Sequence, residues 1–451
     1  MTGLVDFSTL ADVPRAERAA LLEATSEVPE ADRAAGALVG LAVGDGLGAP
    51  LEFLACVDDP GASGALIDLA SLCAQGAERA PEVTRGKQLK EGQWTDDTAM
   101  ALCLADSLLT GRYDGSDFRV RLWNWWHRGY NNGFRNDQLR GSKRSVGLGM
   151  NVGKSLDALR HGAAPPPRYD VPSEDSGNGS LVRLAAVPIA FSRDIDLAMA
   201  ASAESSRASH PGRVASAACR FLGFLICRAL VHPPAQTMQH FLEACAKEYL
   251  EHHIRPADTE IRRLLQSAEP EDSKERSWNW RAERLELSRS MSARERDGSY
   301  NGYPVSREYY GSYCMDGLAV ALHCAYRTSS FAEAVVRCAN FLGDADSTAA
   351  ICGQVCGAFY GLRAIDARLL ERLGRWDDGE ISCKAVLLWV LGAEMDAVDE
   401  PEEPAQPSAE LPWSPEVARL VEMGFSSREA GLALQQADGN LERAAQLLLC
   451  G

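Results

Sequence analysis

Seven Ala- and Leu-rich stretches repeat the same texture along most of this chain, with apolar residues recurring every three to four positions. They are AAGALVGLAVGD, DDTAMALCLADSLL, RVASAACRFLGFLICRALV, QTMQHFLEACAKEYLEHH, MDGLAVALHCAY, FAEAVVRCANFLGD and STAAICGQVCGAFYGL. A 3.6-residue period means helices with one or more buried faces, and strand-like alternation of useful length is nearly absent. The fold class this predicts is all-α. Small residues on these helices let backbones approach closely, as a multilayered bundle requires. Gly353, Gly357 and Gly361 recur every four residues and form a flat stripe on which another helix can lie.

The pattern also divides the chain. Residues 1–34 read as an N-terminal helical extension and residues 35–393 as one compact domain, with no internal repeat. Asp396 to Pro412 holds six acids, no bases and four prolines. That composition predicts an extended, solvated linker, placed at 394–412. The remaining residues, 413–451, form a module of their own. Two irregular segments interrupt the main domain. Residues 55–91 read as a long surface loop, and the highly charged residues 268–300 as an exposed helix and loop.

A net charge of −17 argues against a binder that tracks nucleic-acid phosphates, which needs a basic face. A phosphorylated ligand is still accessible to such a protein if a metal supplies local positive charge. Thirteen cysteines lie mostly inside apolar runs without CxxC spacing, and Cys352 and Cys356 stand one helical turn apart. Buried thiols in a reducing compartment are expected. The charged N-terminus lacks the apolar segment of a secretion signal, and no uninterrupted run of 18 apolar residues predicts a membrane span. An intracellular protein, cytoplasmic or nuclear, with no membrane partner is the expectation.

Chemistry concentrates in two acidic pairs about 250 residues apart. Gln93-Trp94-Thr95-Asp96-Asp97-Thr98 precedes one helical run, and Gly343-Asp344-Ala345-Asp346-Ser347-Thr348 precedes another. A third acidic stretch, Gly44-Asp45-Gly46-Leu47-Gly48-Ala49-Pro50-Leu51-Glu52-Phe53, lies near the start. Each pair alone reads most simply as helix capping, since Asp and Thr satisfy first-turn amides and offset the dipole. Two such pairs, each with a hydroxyl neighbour, point instead to a hard divalent cation. Such an ion wants several oxygen ligands and neutralises carboxylates that would otherwise raise one another's pKa.

GDGLGAPLEF, GQWTDDTAMAL, SGNGSLVRLAAVPIA, SRASHPG and GDADSTAAICGQVCGAFYGL occur in this order and resemble the ordered motifs of the ADP-ribosylglycohydrolase family, from residue 36 to about 393. The resemblance implies an all-α fold with two Mg²⁺ or Mn²⁺ ions in a cleft that binds ADP-ribose. It implies metal ligands Thr95, Asp96 and Asp97 from the first motif and Asp344, Asp346 and Ser347 from the second. Glu52, Asp97 and Asp344 are the catalytic candidates, with Glu52 offered for general acid/base work. Asn178 and Gly179 match a backbone-rich loop that approaches diphosphate and ribose, and His210 matches a substrate-contacting histidine. Residues 146–151 (VGLGMN) stand where relatives carry a Gly-rich substrate loop and depart from its usual form.

Other aromatic and histidine clusters are weighed against ordinary packing. Trp123, Trp125 and Trp126 read as core and rim and stay outside the site. Tyr309, Tyr310 and Tyr313 precede a helix that faces the cleft in relatives, where adenosine stacking is possible. His252 and His253 read as surface residues.

The tail reads as three short helices, 415–422, 428–437 and 441–449, with Asn440 capping the third. Met423-Gly424-Phe425 and the DGN-to-LL ending resemble a ubiquitin-associated (UBA) domain. That resemblance implies that Met423, Gly424, Phe425, Leu447 and Leu448 contact ubiquitin. The joint expectation is a Mg²⁺-dependent hydrolase that removes ADP-ribose from protein side chains, recruited to ubiquitin or ubiquitylated proteins. Ser347 after the second Asp-x-Asp, with Glu52, favours an arginine linkage. The alternatives are serine-, poly- or O-acetyl-ADP-ribose, or an inactive adaptor that reads ADP-ribose and ubiquitin together.

Overall fold

The computed structural model describes residues 8–392 apart from 11–12, 62–64, 75–86, 160–162, 234–235, 268–272, 297, 301–302 and 306–307, together with nine positions of the tail. The helices in chain order are α1 (Arg15–Ala24), α2 (Pro29–Gly48), α3 (Asp96–Leu108), α4 (Gly115–Arg128), α5 (Met150–Asp157) and α6 (Ala186–Ala190). There follow α7 (Ile195–Arg207), α8 (Arg213–Val231), α9 (Met238–His252), α10 (Thr259–Gln266) and α11 (Leu287–Glu295). The last are α12 (Cys314–Tyr326), α13 (Phe331–Ala339), α14 (Ala345–Tyr360), α15 (Ala367–Asp377) and α16 (Glu380–Leu391). Among the described residues, strands amount to two short hairpins, Ile67–Asp68 with Cys73–Ala74 and Ser299–Tyr300 with Tyr303–Pro304. The main domain is therefore all-α.

Local sequence explains the helix ends. Pro29 at the first position and acids at Glu30 and Asp32 favour the start of α2, where the fixed proline φ and the dipole both help. Asp114 caps α4 by accepting from the Ser116 and Asp117 amides, and Gly129 closes it in the left-handed conformation. Helix α2 runs through the expected 34/35 division, so the last residues of the extension and the first of the main domain share one helix.

The centre of the fold is the antiparallel pair α2 and α14. A side chain at Gly36, Gly40, Gly44 or Gly48 would collide with the carbonyl of Gly357, Gly353, Ala349 or Ala345 respectively. The glycine stripe expected to receive a helix therefore receives α2, backbone against backbone. The expected stripe residue Gly361 lies beyond the helix end, against the Asp32 carboxylate. Two helices, Pro29–Leu51 and Arg213–Val231, reach the length and hydropathy of a membrane span. Both are core helices, with 89% and 78% of their apolar windows buried.

Segment 268–300 differs from its expected exposure. Trp278 and Trp280 are fully buried, and Arg294 is buried in a bidentate pair with Asp316 of α12, at 2.5 and 3.0 Å. The Trp278 indole donates to the same carboxylate at 2.8 Å. A charge so paired can enter the core, and the sequence pattern of the segment alone does not reveal its distant partner. In 55–91, too, Ile67, Leu72 and Lys87 are buried. The Asn340 side chain accepts from the Leu66 and Ile67 amides at 2.7 and 3.0 Å, which pins this loop to the end of α13.

Asp377, at the end of α15, is buried, and burial pushes its carboxyl up to about 7. A group whose folded pKa is raised favours folding below its unfolded pKa, and that contribution is lost as pH rises through the folded value. Asp377→Asn should therefore raise the melting temperature at pH 8 relative to wild type and change it little at pH 4. A thermal melt series across that range checks this.

Residues 399–451 form a separate compact unit. Within it Leu434 and Ala444 are buried, and Asn440 Oδ1 accepts from the Arg443 amide at 3.0 Å, the expected cap of the third tail helix. Met423, Gly424, Phe425, Leu447 and Leu448 lie outside the described residues, as does the linker 394–412.

Candidate active site

The antiparallel packing of α2 on α14 sets the end of one helix beside the start of the other. The end of α2 carries Asp45 and leads through the turn Ala49–Leu51 to Glu52. The start of α14 carries Asp344, Asp346 and Ser347. Carboxylate oxygens of Glu52, Asp344 and Asp346 lie within 4.8 Å of one another, and all three residues are buried. The backbone locks this arrangement. Phe53 N donates to Gly343 O at 2.8 Å, and Gly343 N donates to Leu54 O at 2.9 Å. Phe53 and Leu342 both sit at φ 65°, conformations that cost side-chain-bearing residues energy and that cluster at functional sites.

The first acidic pair joins from α3. Asp45 caps this helix from outside: its carboxylate accepts from the Thr95 amide at 2.9 Å and the Thr98 amide at 3.0 Å. It also accepts from the Thr98 hydroxyl at 2.6 Å. Thr95, at the N-cap position, makes no side-chain cap. The capping task is thereby taken from the local residues, and among the described residues the buried Thr95 Oγ1 and Asp97 Oδ2 have no hydrogen-bond partner within 3.5 Å. Buried polar atoms are almost always satisfied, so two orphaned oxygens beside five other acids mark a place for a ligand.

Electrostatics agree. Burial, then the neighbouring Asp96, Asp45, Asp346 and Asp344, push Asp97 well above the usual carboxylate range. Burial, relieved in part by Lys87, does the same for Asp96. Burial and Asp346 raise Glu52 well above its usual value and Asp45 to about 6, and Asp344 is raised to about 7. Among the described residues, one cation stands with them. The Lys87 ammonium bonds Glu52 and lies 3.5 Å from Asp346. Burial lowers its pKa, but Asp346 and Glu52 outweigh that and hold it above the ordinary value. One ammonium cannot balance so many acids. The donors are all hard oxygens, the set that suits Mg²⁺ or Mn²⁺.

The remaining expected residues surround this cluster. Asn178 Nδ2 donates to Asp344 at 2.8 Å and to Gly311 O at 3.1 Å, which ties the SGNGS loop to the acids. Gly179 lies against His210, whose Nε2 is 3.2 Å from where a Cβ on Gly179 would stand. Gly147, at φ 85°, lies so close to the Asp96 carboxylate that a Cβ would collide with it. The 146–151 loop therefore reaches the acids despite its divergent sequence. Of the three tyrosines, Tyr309 stacks on Phe53 (centroids 5.3 Å apart), and burial, then the nearby Asp344, raises its phenol. Tyr310 instead donates to Ser277 at 2.7 Å in the core, and Tyr313 is buried against Trp278. Trp125 is fully buried, with Trp123 and Trp126 half-buried beside the core. His252 is exposed, whereas His253 packs on Phe224 and Tyr249.

Sequence reading passed over Asp45 and Lys87. Asp45 lies inside the quoted GDGLG motif, but its partners are 50 residues away. Lys87 lies within the segment 55–91 read as surface loop, and its partner Asp346 is 259 residues away.

A family model described as ADP-ribosylglycohydrolase matches residues 26–395, and one described as UBA/TS-N domain matches residues 416–448. The ADP-ribosylarginine hydrolase Tri1 of Serratia proteamaculans is 29% identical over 375 residues, covering 82% of this chain and 83% of its own. The ADP-ribosyl-dinitrogen reductase glycohydrolase of Rhodospirillum rubrum is 26% identical over 353 residues, covering 78% and 93%. The ADP-ribosylhydrolase ARH3 of Bos taurus is 24% identical over 352 residues, covering 73% and 85%. A solved structure, an ADP-ribosylglycohydrolase-related protein complex, superposes with a TM-score of 0.55 at 26% identity. The match covers 80% of this chain and 99% of that one. The chain belongs to the ADP-ribosylglycohydrolase family of hydrolases, with a UBA/TS-N domain at its end.

Proposed function

We propose that this protein removes ADP-ribose from arginine side chains of modified proteins, with two Mg²⁺ or Mn²⁺ ions at the acidic cluster, and that its tail brings ubiquitin or ubiquitylated substrates to it. The observation that carries the reading is the gathering of both acidic motifs at one buried site with two orphaned oxygens, Thr95 Oγ1 and Asp97 Oδ2. Similarity to the arginine-directed hydrolase of Serratia supports the linkage.

Thr95, Asp96, Asp97, Asp344, Asp346 and Ser347 would hold the metal. Bound there, it supplies positive charge for ribose hydroxyls and for charge developing in the transition state. The chain's own groups do the rest. Cleavage at the anomeric carbon passes through an oxocarbenium-like state, which the surrounding carboxylates stabilise. Glu52 holds a proton well above the usual range and is suited to hand it to the departing group or to take one from water. Asn178, fixed to Asp344, and Gly179 offer a close polar approach for diphosphate and ribose.

Arginine- and serine-ADP-ribosylated peptides incubated with and without Mg²⁺ test this reading. Release from the arginine peptide, dependent on Mg²⁺ and lost in Asp96→Ala, is expected. Release from serine alone moves the assignment to the other linkage. No release from either, with Asp96→Ala indistinguishable from wild type, favours a binding-only adaptor. The retained set of acids argues against that adaptor.

The UBA match supports ubiquitin recognition through Met423, Gly424, Phe425, Leu447 and Leu448. A weak module on an acidic, Pro-rich linker raises the effective concentration of its partner near the cleft, typically to millimolar. Deleting residues 412–451 should raise KM for ADP-ribosylated ubiquitin about tenfold or more and leave a short peptide unaffected. Equal effects on both substrates would count against recruitment. A cytoplasmic or nuclear setting belongs to the same proposal and is supported by twelve free thiols among the described residues.

A further inference from the structure

Arg183 is buried, yet among the described residues no carboxylate forms an ion pair with it. Its guanidinium lies 4.9 Å from the Phe118 ring centroid, with one nitrogen 3.6 Å from the Met100 sulfur. The other terminal nitrogen donates to Ser209 Oγ at 2.7 Å and to Ser205 O at 3.4 Å. Ser209 Oγ is in turn 2.8 Å from His210 Nδ1. Both Ser209 and His210 are buried.

The donor inventory sets the direction of this chain. Arginine only donates, so Ser209 Oγ must accept from it. A hydroxyl has one proton, and among the described residues the Ser209 proton has His210 Nδ1 as its available acceptor. The opposite arrangement, with Nδ1–H donating to Ser209, would aim two N–H groups at one oxygen and leave the buried hydroxyl proton without an acceptor among the described residues. Burial and the nearby Arg183 charge push the imidazole down to about 3, so the ring is neutral and carries its single proton on Nε2. That nitrogen faces Gly179, and no described residue accepts from it. The neighbouring Asn178 holds Asp344 at 2.8 Å, so the donor stands at the edge of the acidic site.

We propose that Arg183 is a positioning residue which, through Ser209, holds His210 as the Nε2–H tautomer, a fixed hydrogen-bond donor for an acceptor oxygen of ADP-ribose at the Asn178–Gly179 loop. The donor role rests on the functional reading above; the tautomer does not. A buried arginine serving only to pack would leave the tautomer unaffected when its guanidinium is removed.

Long-range ¹H–¹⁵N correlation spectra of ¹⁵N-histidine-labelled, ligand-free full-length protein report which ring nitrogen carries the proton. Wild type and Ser209→Thr, which keeps the hydroxyl, should both show His210 protonated on Nε2, and Ser209→Ala should shift the ring toward Nδ1–H. Calorimetry with ADP-ribose should show about tenfold weaker binding for Ser209→Ala and recovery for Ser209→Thr, the size of one hydrogen bond. Arg183→Met should behave as Ser209→Ala does, and should that variant not fold, the two serine variants decide the question. Wild type protonated on Nδ1, or Ser209→Ala with an unchanged spectrum, overturns the relay. A wild-type protein that does not bind ADP-ribose overturns the donor role together with the reading beneath it, whereas the ligand-free spectrum alone decides the tautomer.

Discussion

Asp97→Asn is expected to reduce turnover by at least about 10³-fold while leaving the metal-free protein as stable as wild type or more so. The two effects have one cause. Asp97 is buried among like charges, and among the described residues its Oδ2 has no partner, so as a carboxylate it burdens the metal-free protein. The isosteric amide removes a charge from that crowd without opening a cavity. The same charge is what a divalent cation needs, and a ligand set that polarises a reacting centre contributes several kcal/mol to the barrier, roughly a thousandfold in rate. Melting temperatures with EDTA and with Mg²⁺ separate the two. Wild type should gain stability on adding Mg²⁺, because a ligand that binds only the native state shifts the equilibrium toward it. The variant should lose most of that gain. Retained turnover, or an undiminished Mg²⁺ shift, would remove Asp97 from the site.

The second large effect lies away from the chemistry. Gly353→Leu should cost more than about 3 kcal/mol and leave little folded protein at physiological temperature, because overpacking here presses on backbone that cannot repack. The Cβ alone would collide with the Gly40 carbonyl, so the helices must separate along their length. Separation of α2 from α14 also pulls Asp45 and Glu52 away from Asp344 and Asp346, so any surviving protein should bind Mg²⁺ poorly. Gly374→Ala is the control. That glycine is exposed on α15, with nothing among the described residues within 4 Å of where a Cβ would stand, so the substitution should stabilise by about 0.5–1 kcal/mol. Denaturant titration of both variants checks the contrast. A Gly353→Leu protein as stable as Gly374→Ala would mean that the backbone contact is not a constraint.

Much of this molecule was readable in advance where the signal is local or periodic. The apolar period marks α2, α3, α8, α12 and α14. Thr95, Asp96, Asp97, Asp344, Asp346 and Ser347 stand in two short motifs whose order alone carries the family resemblance. The local question those motifs raise, capping or ligation, was answered from elsewhere. Asp45 takes over the capping of α3, so among the described residues Thr95 Oγ1 and Asp97 Oδ2 remain unspent. Nothing within the stretch QWTDDTAM encodes that.

Lys87, Arg294 and Arg183 make the same point for cations. In sequence they look like ordinary surface charges within polar or mixed segments, and in the fold each is buried because of a distant partner or arrangement. Lys87 meets Glu52 and Asp346, Arg294 meets Asp316, and Arg183 spends its donors on Ser205 and Ser209. Helix positions follow from sequence because propensity and periodicity act over a few residues. Which acids share a site, which charge is buried, and which nitrogen of His210 carries the proton were decided only by tertiary structure. Charge interactions and hydrogen bonds act over a few ångströms of space, and it is the close approach of α2 and α14 that brings residues hundreds of positions apart within that range.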